Sequence, residues 1–252
     1  MTAPYRFLSV HNSGGVVFAE MSHPNYNRDE REDWPRLLEY VANDDAARVL
    51  VISGWGNPPL DRPKVFENFD AYKYYSRASR EPVPMMLDFP KPIVTALDGS
   101  PDVMTIPLCT DVVIAERHVV LDDHHVPLDV VSATQPLLWP LSAGLMKAKK
   151  YILTGEQLTA EEAERIGLIT EVVDTGESLK RATEIAERLA SLRPEAVQAT
   201  KRLLNHWLKS AMTPILEHGL ALEFMLFPER YAKTTPAPGP GDPQVEPDSS
   251  PR

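Results

Sequence analysis

The stretch KPIVTALDG, residues 91–99, decides the fold prediction for this chain. Lys91-Pro92 introduces Ile93–Leu97, a short run with apolar and β-branched side chains that is typical of a buried strand. Asp98-Gly99 is a turn signal. A second apolar run, Asp111–Ala115, predicts another strand shortly afterwards.

The same alternation extends toward the amino terminus. Two strands, Tyr5–His11 and Val16–Met21, are predicted around a hairpin turn. A helix with apolar residues at helical spacing follows at Arg28–Asn43, and then a short apolar strand at Val49–Ser53. The prolines of 57–64 predict an irregular loop, and we expect a helix within 66–86, after Asp70. This order is typical of an α/β protein.

The carboxyl-terminal third is predicted to be mostly helical. Thr159 and Glu162 have the spacing of a helix capping box, and a strand at Leu168–Val173 precedes helices over 178–192, 194–210 and 214–227. From Thr234 the chain is rich in proline and poor in apolar residues, which predicts disorder. We therefore expect an α/β core over 1–190, a helical region over 191–232 and a disordered tail over 233–252.

Composition excludes several classes of function. The 252 residues are 43% hydrophobic and carry a net charge of −10, which disfavours nucleic-acid binding. The single cysteine, Cys109, rules out a disulfide framework. The sequence has no run of about 18 apolar residues and no signal-peptide pattern, so we expect a soluble cytoplasmic protein without membrane partners.

A candidate site lies in HVVLDDHHVPLDVVSATQPLLWP, residues 118–140. The apolar run His118–Leu121 predicts a strand, and four ionisable residues, 122–125, follow it. Strand ends often present side chains to ligands, and histidine changes its charge most readily near neutral pH. A solvated turn is the alternative. Metal ligation by His124 and His125 is disfavoured because adjacent residues on a strand point to opposite faces.

The order of these segments resembles the crotonase, or enoyl-CoA hydratase/isomerase, superfamily. Residues 91–99 resemble its KP-x-IAAV-NG strand and turn, and 111–115 resemble its CD-IIA strand. The segments 153–155, 160–163 and 167–169 resemble LTG, A-x-EA and GLV. The resemblance covers about residues 5–227. It implies a spiral of ββα units, a helical C-terminal trimerisation region, and a homotrimer or dimer of trimers.

The presumed active site departs from that of the hydratases. Family members that bind CoA thioesters surround the thioester oxygen with two backbone N–H groups, in AG-x-D and GGG segments. Here these segments are 67–70 and 100–104, and neither contains glycine, the residue that best allows a backbone to approach a ligand closely. Pro107 lies near the place of one usual glutamate, and His125 takes the place of the other.

These departures resemble the 6-oxocamphor hydrolase and β-diketone hydrolase branch, which cleaves carbon–carbon bonds without CoA. His124–Pro127, Leu137–Pro140 and Gly219–Glu223 resemble its PH-x-P, VVWP and GLAHE segments. The branch has an aspartate nine residues after the histidine, where this chain has Thr134. Either Asp129 or Glu223 therefore takes the orienting role, or the reaction is a different one.

The resulting prediction is an enzyme without cofactor or metal that acts on a small-molecule carbonyl substrate. His125 would be the general base, oriented by Glu223 or Asp129, with His124 or a backbone N–H holding the enolate. Substrate contacts are expected from Tyr26, Phe69, Asp70, Thr134 and Trp139. For Asp70 the alternative is helix capping; for Tyr26 it is packing; for Glu223 it is a surface charge.

Two other functions fit the sequence as well. One is hydration or isomerisation of an acyl-CoA thioester, as in the hydratases that the chain resembles. The other is a biosynthetic cyclase, or a catalytically silent trimer that only binds its ligand. The altered oxyanion segments and Thr134 favour this last interpretation over an ordinary hydratase.

Overall fold

The structure is a computed structural model. It describes residue 5 and residues 7–21, 30–56, 82–101, 104–213 and 215–234, without the side chains of 30–32 and 227–234. Several predictions fall outside these residues: the substrate contacts Tyr26, Phe69 and Asp70, the loop at 57–64, most of the helix expected within 66–86, and the tail beyond 234.

A six-stranded sheet forms the centre of the described fold. Its strands, in spatial order, are β1 (Leu8–Ser13), β2 (Val16–Met21), β3 (Val49–Ser53), β4 (Ile93–Leu97), β5 (Val112–Glu116) and β8 (Glu171–Val173). The β1–β2 pair is antiparallel and the other pairs are parallel. A second, two-stranded sheet pairs β6 (Val120–Leu121) with β7 (Leu158–Thr159) in antiparallel fashion. The predicted α/β class is confirmed.

Both faces of the main sheet are buried, which explains why its central strands read as continuous apolar runs. Alternate residues of a strand point to opposite faces. In β3, Leu50 and Ile52 join the main core, while Val49 and Val51 pack on the other side with Ala182 and the residues around it.

Eight helices are described. They are α1 (Glu30–Asn43), α2 (Pro82–Asp88), α3 (Gln135–Ala143), α4 (Leu145–Thr154), α5 (Ala160–Arg165), α6 (Ser178–Ala190), α7 (Pro194–Met212) and α8 (Leu216–Thr234). Helix α6 packs on strands β2 to β5, and α7 packs on α2 and α3. None of the helices in the described residues is long and apolar enough to cross a bilayer.

The sequence-based boundaries need correction in three places. The strand expected over His118–Leu121 is only the two residues of β6, and the one expected over Leu168–Val173 is only β8. The sequence also predicts a short helix over Val103–Cys109; in the described part of that run the structure has a 3₁₀ turn at Pro107–Cys109. Helices α3 and α4 were not predicted; α3 has Pro140 in its interior and no side-chain N-cap.

The carboxyl ends of β3 and β4 lie in direct contact. A Cβ built on Gly99 would lie 1.9 Å from the carbonyl oxygen of Gly56, so this approach requires glycine. Asp98 accepts a hydrogen bond from the Trp55 backbone N–H at 2.7 Å. Ligands in open α/β sheets bind at this carboxyl edge.

Helix α7 is attached to the opposite edge of the sheet by a buried lysine. Lys201 is 6% exposed, and its Nζ donates to the Lys91 carbonyl at 2.8 Å and to Asp111 Oδ2 at 2.7 Å. Asp111 Oδ2 also accepts from the Ile93 N–H, so one carboxylate joins the helix to the start of β4. The domain boundaries and the trimeric or hexameric assembly expected from the sequence stay predictions.

Candidate active site

The segment that carries the predicted histidines begins at the end of β6. The Val120 N–H donates to Ser100 Oγ at 2.9 Å, which ties β6 to the chain leaving β4. Residues 122–124 belong to no helix or strand, and a 3₁₀ turn at Val126–Leu128 follows His125. Gly155, with φ +63°, packs so closely on this turn that a Cβ there would lie 2.2 Å from Pro127 Cγ.

Asp123 is the buried centre of the site. Its side chain is fully buried, and its carboxylate accepts three hydrogen bonds from described residues. Oδ1 accepts from the His125 ring at Nδ1, 2.5 Å away, and from the His125 backbone N–H at 3.2 Å. Oδ2 accepts from the Ser132 hydroxyl at 2.5 Å. A chain of three side chains therefore runs from Ser132 through Asp123 to His125.

The Asp123 carboxylate stays ionised. Burial alone would raise its pKa, but hydrogen bonds from His125 and Ser132, together with the charge of His125, outweigh it and hold the pKa below the ordinary 3.8. A carboxylate only accepts hydrogen bonds, so Nδ1 of His125 carries the hydrogen. The neutral imidazole then has its lone pair on Nε2, the arrangement that a general base requires.

The second histidine forms a similar pair. His124 Nδ1 lies 3.1 Å from Asp122 Oδ1, and the rings of His124 and His125 stack with centroids 5.4 Å apart and an interplanar angle of 10°. The side chains of His124 and His125 are 18% and 29% exposed. The expectation that the two rings would face opposite ways was wrong, because both lie beyond β6, where strand alternation ends.

Helix α8 lies behind the segment that contains Ser132. A Cβ on Gly219 would lie 2.8 Å from the Ala133 carbonyl oxygen, so the helix and this segment are in close contact. Glu223 lies one turn later on the same face of the helix and is 6% exposed. The alternative of a surface charge is therefore wrong for Glu223, and its catalytic role stays a prediction.

The residue that bonds to His125 Nδ1 is Asp123, which the sequence analysis did not name; an orienting role for Asp129 or Glu223 stays a prediction. Asp129 is an exposed residue with φ +59° that ends the 3₁₀ turn, where its backbone N–H bonds to the Val126 carbonyl. A left-handed turn position is one that aspartate tolerates well. The structure thus gives Asp129 a turn function.

The two predicted substrate contacts within the described residues are both buried. Thr134 is 6% exposed and precedes α3. Trp139 is fully buried, and its indole N–H donates to Gln135 Oε1 at 2.7 Å. Gln135 in turn donates to Thr105 at 2.6 Å, so Trp139 belongs to a polar network within the core. Contact of either residue with substrate stays a prediction.

Sequence reasoning missed Asp123 and Ser132 as site residues. A signal for Asp123 was present: an aspartate two residues before a histidine, just after a strand, can turn back to its imidazole. No comparable signal marks Ser132, which lies nine residues after Asp123 and reaches it only through the fold. The described residues contain no group of three or more His, Cys, Asp or Glu side chains placed to hold a metal ion.

Comparison with known proteins agrees with this architecture. The family model described as enoyl-CoA hydratase/isomerase matches residues 14–236. The chain belongs to the enoyl-CoA hydratase/isomerase family. The crotonase-like fold predicted from the motifs is thereby confirmed, and members of this superfamily are enzymes.

Individual members of the family show the same likeness. The chain is 31% identical to 2,3-dehydroadipyl-CoA hydratase of Escherichia coli over 75% of each chain. An enoyl-CoA hydratase/isomerase structure from Mycobacterium paratuberculosis superposes with a TM-score of 0.80 and 27% identity, covering 91% of this chain and 98% of that one. A β-diketone hydrolase from Anabaena gives a TM-score of 0.79 at 24% identity, covering 88% and 94%, which shows a shared fold.

Proposed function

We propose that this enzyme hydrolyses a carbon–carbon bond of a cyclic β-diketone, with His125 as the general base. The observation that carries the proposal is the 2.5 Å contact between His125 Nδ1 and the buried Asp123 carboxylate. This pair supplies a base of defined tautomer, oriented by a charge that would stabilise the imidazolium form. A hydrolase needs such a base to activate water.

The reaction requires one water molecule and no cofactor. His125 Nε2 takes a proton from water while the water oxygen attacks one carbonyl carbon. The bond between that carbon and the α-carbon then breaks, giving a carboxylic acid and an enolate. The imidazolium returns its proton to the α-carbon, which regenerates the neutral base. The His124 ring, which stacks on His125, would help hold the negative charge that develops on the enolate.

The chain leaving β4 also fits a substrate without a thioester. Gly99 is committed to its contact with Gly56. Pro101 has no backbone N–H to donate, and the Ser100 hydroxyl accepts from Val120. Within the described residues of this segment, 99–101, Pro101 supplies no backbone donor for a thioester oxygen, whereas a His–Asp pair can act on a free diketone.

Acyl-CoA hydration or isomerisation is the second candidate. Its support comes from relatives, several of which are hydratases or isomerases of CoA esters, such as (E)-benzylidenesuccinyl-CoA hydratase of Thauera aromatica, 30% identical over 81% of this chain. The names of the relatives favour a CoA-thioester substrate, whereas the altered site favours a diketone. Activity tests with both kinds of substrate distinguish the two functions.

The test is a substrate panel applied to the unmodified protein and to His125→Ala. The panel contains monocyclic and bicyclic 1,3-diketones and short-chain enoyl-CoA thioesters. We expect the unmodified protein to hydrolyse a diketone, with the released acid measured by titration and the products by mass spectrometry. The hydrolysis rate should fall by about 10²–10⁴-fold in His125→Ala. Calorimetric titration with an enoyl-CoA is expected to give no binding heat.

His118→Ala is the matched control. The His118 side chain is 39% exposed, and its ring contacts Thr175 and Glu116, away from the Asp123 carboxylate. It should keep full diketone turnover. Turnover of enoyl-CoA without diketone hydrolysis would replace the proposal by the second candidate. A folded His125→Ala protein with full diketone turnover would remove the base assignment, and a protein inactive on the whole panel would support a cyclase or a silent trimer.

A further inference from the structure

We infer that Ser132 is a positioning residue for His125 and acts through the Asp123 carboxylate. This inference rests on the proposed role of His125 as a base. The Ser132 hydroxyl donates to Asp123 Oδ2 at 2.5 Å, while Oδ1 of the same carboxylate faces the His125 ring. The hydrogen bond of the Ser132 hydroxyl goes to Asp123 and not to the imidazole, so its effect on His125 passes through the carboxylate.

The geometry explains why a second donor is needed. Asp123 is fully buried, and a buried carboxylate oxygen without a donor is costly. With both oxygens hydrogen-bonded, the carboxylate cannot rotate about its bond to Cβ, and Oδ1 stays directed at Nδ1 of His125. Ser132 thus holds the acceptor in place.

The chemical nature of the donor also matters. A hydroxyl is neutral, so it satisfies Oδ2 without cancelling the negative charge that faces His125. A lysine or arginine in the same place would compete with the imidazolium for that charge. Ser132 therefore fixes the orientation of Asp123 and takes up only part of its negative charge, so that the rest acts on His125.

Helix α8 packs against the backbone next to Ser132. The Ser132 side chain is buried, and the next residue, Ala133, packs against Gly219 of α8, with only 2.8 Å between a Cβ built there and the Ala133 carbonyl oxygen. The C-terminal helix thus supports the segment that delivers the hydroxyl. This support makes Ser132 a fixed donor, as a positioning residue must be.

The test compares Ser132→Ala and Ser132→Thr with the unmodified protein, using ¹⁵N NMR to follow the protonation of the His125 ring. Without the hydroxyl, the Asp123 carboxylate keeps more of its negative charge for the imidazolium. We expect the titration midpoint of His125 to rise by about one pH unit in Ser132→Ala, and Ser132→Thr to restore it. The ionisable side chains next to the ring in the described residues, His124 and, bonded to it, Asp122, are unchanged in both variants.

Kinetics supply a second measurement. In Ser132→Ala we expect kcat for the diketone to fall about tenfold, KM to change little, and the acid limb of the pH profile to move with the NMR midpoint. Ser191→Ala is the control, since the Ser191 hydroxyl only donates to the Arg188 carbonyl at an exposed helix end.

The two measurements separate this inference from the proposed function. A midpoint that stays within about 0.2 pH unit or falls in a folded Ser132→Ala protein overturns the role of Ser132, whatever the kinetics show. A midpoint that rises as expected in a protein that hydrolyses no diketone supports the coupling through Asp123 and contradicts only the proposed substrate.

Discussion

Replacing Asp123 by asparagine removes the charge that faces His125 and preserves the size of the side chain. The carboxylate is fully buried and accepts from both His125 and Ser132. An amide can present its oxygen to only one of these two donors. If its NH₂ faces His125, Nδ1 must become an acceptor and Nε2 must carry the hydrogen, which leaves no lone pair to activate water.

The expected loss follows from the geometry. Charges on an imidazolium and this carboxylate, centred roughly 4 Å apart, interact by about 4 kcal/mol at an effective dielectric constant of about 20. At about 1.4 kcal/mol per factor of ten, Asp123→Asn should lower kcat/KM for the diketone about a thousandfold. KM should change less than kcat, since the charge acts on the transition state.

The assay is steady-state diketone hydrolysis, with circular dichroism and thermal unfolding to show that the variant folds. Asp174→Asn is the control, because Asp174 is 82% exposed and contacts only Arg117 at 3.4 Å by its side chain. It should retain full activity. An Asp123→Asn protein that is folded and keeps more than about a tenth of the activity would refute an electrostatic role for Asp123.

Three further predictions concern stability. The pKa of Asp123 in the folded protein lies below its ordinary 3.8, so the ionised carboxylate contributes fully to the free energy of unfolding above that pH. This contribution is lost as the pH falls through the lower folded pKa. In urea titrations, the difference in unfolding free energy between the unmodified protein and Asp123→Asn should therefore shrink below about pH 4. Lys201→Met leaves the Asp111 carboxylate without its buried lysine partner and should cost about 3 kcal/mol, or about 6–12 °C in Tm; an unchanged Tm would show that α7 does not depend on this ion pair. Gly99→Ala places a Cβ against the Gly56 carbonyl and should cost about 3 kcal/mol or give insoluble protein; a calorimetric Tm equal to that of the unmodified protein would contradict the contact.

The sheet could be predicted from the sequence because its signals are local. The β-branched run at Ile93–Leu97 and the hairpin turn at Asn12–Gly15 specify strands without reference to the rest of the fold. Helix α3 was missed for the opposite reason. Pro140 in its interior disfavours a helix locally, and its burial, centred on Trp139 and the contact of Gln135 with Thr105, comes from distant segments.

The candidate site was predicted only in part. His124 and His125 stand out because titratable residues follow a strand. Glu223 was named by resemblance, and its role stays a prediction. The acid that bonds to His125 Nδ1, Asp123, was not named, because the resemblance directs attention to acids downstream of the histidine. The contact with Asp123 depends on backbone angles between the two residues, and a sequence does not display those.

The proposed base and the acid bonded to it lie two residues apart on one stretch of backbone. In many hydrolases these two groups come from distant loops, so any shift of a loop separates them. Here Asp123 and His125 are held by the same short segment, and residues elsewhere in the chain can change without disturbing their alignment. Substitutions elsewhere can therefore change the substrate preference of such an enzyme without moving this pair. We expect mutations selected in the laboratory for activity on new diketones to lie outside residues 122–132.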